Sequence, residues 1–114
     1  MANIYQTIIW HARRRPAKLA LQDRTRTLTF SDLAALVQSA AISLESDGVE
    51  RGDRVVVLAD NCIETIALLH ATALTGCILV PANTRYSADE LRYLLEDSTP
   101  VLVLYGDAYA GLLA

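Results

Sequence analysis

Residues 52–104 read GDRVVVLADNCIETIALLHATALTGCILVPANTRYSADELRYLLEDSTPVLVL, and their hydrophobic spacing divides them into strand, helix, strand, helix, strand. Val55-Val56-Val57-Leu58 is a continuous apolar run, the pattern of a strand covered on both faces. From about Cys62 to Thr75 apolar residues run almost all round a helical projection, which predicts a helix buried between layers. Gly76 falls where that helix ends, and Ile78-Leu79-Val80 is the next strand. After the polar loop PANTRYS, Ser87 and Glu90 have capping-box spacing ahead of a helix carrying Leu91, Leu94 and Leu95. Pro100 bars its continuation, and Val101-Leu102-Val103-Leu104 is the third strand. This order predicts a parallel three-strand β-α-β-α-β unit with right-handed crossovers and helices on both faces.

Toward the amino terminus, Ile4, Tyr5, Ile8, Ile9 and Ala12 recur at helical spacing, predicting an amphipathic helix from about residue 3 to 15, ended by Pro16. The Arg13-Arg14-Arg15 run then lies at a helix end, where cations satisfy terminal carbonyls and complement the dipole. Leu19–Gln22 and Thr27–Phe30 flank the polar Asp-Arg-Thr-Arg turn and read as a β-hairpin. Ser31 reads as the N-cap of a further helix, with Leu33, Leu36, Val37, Ala40, Ala41 and Leu44 as its apolar stripe and Gly48 as its left-handed terminator. With no internal repeat and no linker, residues 1–114 read as a single α/β unit.

A chain of 114 residues can form one small domain that buries roughly two-thirds of its unfolded surface. Its hydrophobic fraction of 53% argues against disorder, and a net charge of −3 gives no support for nucleic-acid binding. Cys62 and Cys77 are too few and too far apart for a zinc framework and read as buried, inert thiols. Met1–Tyr5 carry no positive charge and no apolar run follows, so no signal peptide is expected and the cytoplasm is the default compartment. Residues 65–82 approach the length of a membrane span. Gly76, Pro81 and the β-branched residues between them favour a buried helix followed by a buried strand.

Chemistry-bearing motifs are few. The five glycines never fall into Gly-x-Gly-x-x-Gly. Gly106 and Gly111 have phosphate-loop spacing, but Leu112-Leu113 follow where Lys-Ser or Lys-Thr is required. There is no Gly-x-Ser-x-Gly elbow. His11 and His70 both lie within expected helices, and His70, between Leu69 and Ala71, reads as a satisfied packing residue. Asp89-Glu90 opens a helix and Glu96-Asp97 closes it, which makes the first pair capping and dipole chemistry and the second a solvated surface feature. The loop Pro81–Ser87 remains. It leaves the carboxyl end of a parallel strand, where ligands gather in open sheets, and its Arg85 can hold a phosphate bidentately. A structural role is the competing reading: Asn83 and Ser87 shape the turn and cap the helix while Arg85 is solvated.

Leu28-Thr29-Phe30-Ser31-Asp32-Leu33, Gly48-Val49, Gly52-Asp53-Arg54-Val55, Val80-Pro81-Ala82-Asn83-Thr84-Arg85, Asp89-Glu90-Leu91 and Glu96-Asp97-Ser98 together resemble the N-terminal part of adenylate-forming enzymes, above all acyl-CoA synthetases of the AMP-binding superfamily. The resemblance implies an incomplete, N-terminal part of that fold. It implies ATP-driven activation of a carboxylate, of fatty or aromatic acids, to an acyl-adenylate, then thioester formation with coenzyme A (CoA). ATP, Mg²⁺ and CoA are implied for the full-length enzyme, and none for the isolated chain. Arg85 becomes a candidate contact for the nucleotide phosphate of CoA. The family's Ser/Thr/Gly-rich phosphate loop with its lysine, magnesium-binding acid, ribose-binding aspartate and late lysine have no counterpart here, and the one lysine, Lys18, lies in an early segment. The chain alone is therefore expected to be inactive, with the remainder of the enzyme or a companion chain as partner and an uncovered apolar surface that promotes self-association. Two alternatives stay open: the same part of a peptide-synthetase adenylation domain, and a stand-alone non-catalytic α/β binding module.

Overall fold

The computed structural model describes residues 4–113. Residue 3, expected to open the first helix, and the side chain of Ile4 lie outside what is described. Helix α1 (Ile4–Arg14) buries Tyr5 and Ile8 and ends just before Pro16. Strands β1 (Leu19–Gln22) and β2 (Thr27–Thr29) form the antiparallel hairpin. Asp23 holds its turn, Oδ1 accepting from the N–H groups of Thr25 (2.9 Å) and Arg26 (2.7 Å).

Helix α2 (Phe30–Ser46) begins two residues earlier than the sequence suggests, and its N-cap is Thr29, not Ser31. Thr29 Oγ1 accepts from the Asp32 N–H and Asp32 Oδ2 accepts from the Thr29 N–H, both at 3.1 Å. An acid three residues on closes this box for Thr29. Ser31 has Ala34 in the equivalent place and no reciprocal partner. Phe30 thereby leaves the hairpin and stacks on His11, with ring centroids 4.7 Å apart.

The parallel sheet contains β3 (Arg54–Leu58), β4 (Ile78–Pro81) and β5 (Leu102–Tyr105) in the order β4-β3-β5. The third strand begins one residue later than expected, leaving Val101 exposed. Helix α3 (Ile63–Thr75) joins β3 to β4, and α4 (Ala88–Ser98) carries the chain from β4 across to the other side of β3. Right-handed crossovers running in opposite directions place their helices on opposite faces. The alternation along β3 records this: Val55 and Val57 pack with α1, α2 and α3, whereas Val56 and Leu58 pack with Leu91 of α4 and the partly buried Leu112 and Leu113 of α5 (Ala110–Leu113). Val55, Val56 and Leu58 are essentially fully buried, each worth about 1.5–3 kcal/mol of apolar transfer.

Helix α3 differs from its expected burial. Ala67, Leu68 and Ala71 face the core, but Ile66, Leu69 and Leu74 are exposed. Only one face of this helix meets a covering layer among the described residues. No helix among those residues is long and apolar enough to cross a membrane.

Candidate functional site

Register brings three strand ends level. Val57 pairs with Pro81 and Leu58 with Tyr105, and past the sheet the N–H groups of Ala82 and Gly106 still donate to the carbonyls of Val57 (2.8 Å) and Leu58 (2.9 Å). The loops that follow β3, β4 and β5 therefore emerge side by side. The first turns toward α3 on one face and the second toward α4 on the other, the divergence that opens a crevice at strand ends in α/β sheets.

The β4 loop is stiff at both ends. Asn83 Oδ1 accepts from the Arg85 N–H (2.9 Å), and the Asn83 carbonyl accepts from the Tyr86 N–H (3.1 Å). Ser87 Oγ accepts from the Glu90 N–H while Glu90 Oε1 accepts from the Ser87 N–H, both at 3.2 Å, so the expected capping box is present. Asn83 and Ser87 thus have the turn-shaping and capping roles read from the sequence. Arg85 is exposed, with its backbone fixed and its guanidinium directed by no ion pair among the described residues.

A second pair of residues, not singled out by the sequence, ties the loops after β3 and β5 together. The Tyr109 hydroxyl, on a single 3-10 turn (Asp107–Tyr109) after β5, donates to Asp60 Oδ1 on the loop after β3. The Asp60 carboxylate holds the Tyr109 phenol above its ordinary pKa and partial burial adds to this, while the Thr84 hydroxyl of the β4 loop opposes it. Asp60 and Tyr109 lie 49 residues apart, and no local pattern announces such a pair.

On the α3 side, the helix N-terminus adjoins an open cavity of about 400 Å³ lined by Ala40, Cys62, Thr65, Leu68, Leu104 and Tyr105. A second groove of about 280 Å³ runs between α3 and the ends of β3 and β4, with Asn61, Ile66, Leu69, Leu79 and Pro81 in its wall. Arg85 lines neither. In the first turn of α3, Glu64 receives both terminal nitrogens of Arg26 (2.6 and 2.9 Å), which clamps the hairpin to the helix. That bidentate contact, with backbone hydrogen bonding, lowers the Glu64 pKa to about 2.

The remaining candidates have structural surroundings. Cys62 and Cys77 are free thiols, half-buried instead of fully buried: Cys62 is the N-cap residue of α3, and Cys77 accepts from Thr75 Oγ1 at 3.1 Å. His70 is half-buried, but its Nδ1 has no hydrogen-bond partner among the described residues, so the expected satisfied packing histidine is not what the fold holds. Desolvation lowers its pKa and favours the neutral ring. Asp89 and Glu90 sit in the first turn of α4, and Glu96 and Asp97 are exposed near its end. Among the described residues no group of three or more His, Cys, Asp or Glu is placed to hold a metal ion.

A family model described as "AMP-binding enzyme" matches residues 8–112. The chain is 37% identical over 79 residues to the long-chain-fatty-acid–CoA ligase FadD13 of Mycobacterium tuberculosis, a match covering 69% of this chain and 16% of that protein. It is 30% identical over 108 residues to surfactin synthase subunit 2 of Bacillus subtilis, covering 95% of this chain and 3% of that one. Among solved structures, the N-terminal domain of FACL13 from Mycobacterium tuberculosis superposes with a TM-score of 0.95 at 31% identity, covering 99% of this chain and 29% of that domain. The chain thus spans less than a third of the length of each of these three.

Proposed function

Because the chain belongs to the AMP-binding enzyme family, we propose that residues 1–114 act as one unit, the N-terminal part of a cytoplasmic acyl-CoA ligase that activates a fatty or aromatic carboxylic acid as its adenylate and transfers it to CoA. The observation that supports this most is the likeness to the FACL13 N-terminal domain over nearly the whole chain. No Ser/Thr/Gly-rich phosphate loop with a lysine stands in this sequence, and the one lysine, Lys18, lies in the turn after α1. No adenylation step is therefore routed through this chain, and the rest of the enzyme would supply it.

What the chain does fit is a phosphate at the strand ends. Arg85 is a solvent-facing guanidinium on a loop whose backbone Asn83 fixes, so it meets an anion without burying an unpaired charge. The Asp60–Tyr109 hydrogen bond ties together the neighbouring loops after β3 and β5. We assign Arg85 to the nucleotide phosphate of CoA. Losing a charged hydrogen bond of roughly 1.5–3 kcal/mol weakens binding by about one to two orders of magnitude. In the complete enzyme, Arg85→Ala is expected to raise the KM for CoA by that factor with adenylate formation nearly intact. Dephospho-CoA, which lacks the 3′-phosphate, is expected to be nearly indifferent to the substitution. Equal damage with both thiols, or collapse of adenylation with the fold intact, would overturn the assignment.

The similarity to surfactin synthase subunit 2, which extends over 95% of the chain, favours a second reading as part of a peptide-synthetase adenylation domain. There the acyl group passes to a carrier-bound thiol, and supplying the complete protein with either free CoA or a phosphopantetheinylated carrier separates the two.

A further inference from the structure

Two side chains at the strand ends have no part in the proposed reaction. Asp60 follows β3 and Tyr109 follows β5, and the Tyr109 hydroxyl donates to Asp60 Oδ1. Asp60 is exposed at the end of the sheet where Arg85 is assigned a phosphate, and a carboxylate there repels an anion. It therefore has no use as a ligand contact, and its partner is the phenol. Tyr109 is held at a second point, its N–H donating to the Gly106 carbonyl at 2.9 Å.

The ring of Tyr109 leads back to Arg85. It packs against the apolar cluster of Val56, Leu58, Ala82 and Leu91 on the α4 face of the sheet. Ala82 immediately precedes the turn that the Asn83 carbonyl closes on the Tyr86 N–H, and Tyr86, at the far end of that turn, packs against the same cluster. Arg85 thus stands on a turn whose two ends rest on the cluster that Tyr109 also covers. The bond from the Arg85 N–H to Asn83 Oδ1 shapes the turn from within, but a contact across two residues does not fix where the turn sits against its neighbours.

We propose that Asp60 and Tyr109 are positioning residues for Arg85: by anchoring the Tyr109 ring on the cluster that seats the Asn83–Tyr86 turn, their hydrogen bond keeps the guanidinium where it meets the nucleotide phosphate of CoA. This rests on the assignment of Arg85 to that phosphate. Without the bond the turn spends less time in the competent position, and the apparent dissociation constant rises as that fraction falls.

The complete enzyme is compared with Tyr109→Phe, Asp60→Ala and Asp60→Asn, and with Tyr109→Phe combined with Arg85→Ala. Tyr109→Phe leaves the ring for the cluster and removes only the hydroxyl. The readouts are KM for CoA and for dephospho-CoA, the rate of adenylate formation, calorimetric binding of adenosine 3′,5′-bisphosphate, and amide exchange over residues 81–87. A net hydrogen bond biases an equilibrium by roughly two- to tenfold. Tyr109→Phe and Asp60→Ala are expected to raise the KM for CoA and the Kd for the bisphosphate by that factor and to quicken exchange over 81–87. Dephospho-CoA and adenylate formation are expected to be unchanged. Asp60→Asn keeps an acceptor for the phenol and is expected to stay near the parent. Once Arg85→Ala is present, Tyr109→Phe should add nothing. If Arg85→Ala raises the KM for CoA and Tyr109→Phe does not, the positioning role is overturned while the Arg85 assignment stands. If Arg85→Ala itself has no effect, the assignment falls and this proposal with it. Equal loss with both thiols, unchanged exchange over 81–87, or an additive penalty in the double variant would also overturn it.

Discussion

Gly76 ends α3 with φ of +81° and Gly48 follows α2 with φ of +84°, two left-handed positions that are sterically different. A Cβ at Gly48 meets open space, whereas one at Gly76 would come within 2.8 Å of Arg51 Cγ. The left-handed conformation alone costs a side-chain-bearing residue roughly 1–2 kcal/mol. Gly48→Ala is therefore expected to lower the unfolding free energy by about that amount, and Gly76→Ala by somewhat more. The neighbour at Gly76 is a flexible side chain and not backbone, so the excess reflects only the displacement of Arg51. Adding Arg51→Ala to each is expected to bring the two penalties together in urea denaturation. An excess at Gly76 that survives removal of Arg51 would place its cause in the backbone link from the Gly52 N–H to the Gly76 carbonyl (2.9 Å).

At the scale of elements, α2 offers the sharpest test, because sequence and structure place its cap differently. Thr29→Ala removes the acceptor for the Asp32 N–H and is expected to cost about 1 kcal/mol. Ser31→Ala, at an exposed site in the first turn, should be close to neutral. The urea midpoints of the two variants are the readout, and the reverse order would restore Ser31 as the cap. The reason the sequence favours Ser31 is instructive. Thr27–Phe30 alternates like a strand, and only the reciprocal Thr29–Asp32 bonds show that Phe30 has crossed into the helix. Where the local signal is undivided, as at Ser87–Glu90, the cap is legible directly. The continuous apolar run at Val55–Leu58 likewise made the central, doubly covered strand legible. Helix α3 was legible as a helix and not in its burial, since apolar residues all round announce that every face seeks cover without saying which faces find it. The strand-end position of Arg85 followed from the order of elements alone. The Asp60–Tyr109 tie did not, because a hydrogen bond spanning 49 residues depends on the register of β3 against β5.

For the whole molecule, the open faces are the consequence that matters. The sheet β4-β3-β5 has both outer strands unpaired on one side among the described residues. Beside the β4 edge lie exposed Ile78 and the outward face of α3, with Ile66 and Leu69 in the wall of one groove. At the β5 edge, Tyr105 is exposed as well. Unpaired edges and contiguous apolar surface favour pairing with another chain, and in the proposed enzyme the remaining two-thirds or more of the protein would supply that cover. The 114-residue chain by itself is therefore expected to associate reversibly, its sedimentation coefficient rising from micromolar toward millimolar concentration. Ile66→Ser/Leu69→Ser removes apolar area from a surface already in water, so it should shift that association to higher concentration with little change in the far-ultraviolet spectrum. Two further outcomes discriminate between readings. A chain that stays monomeric throughout this range and unfolds in one sharp transition has no face awaiting cover, and it would favour the self-sufficient binding module over the ligase segment. Association that the double substitution leaves untouched would move the sticky surface to the strand edges, where a charge on the β5 edge, as in Tyr105→Lys, is the next variant to measure.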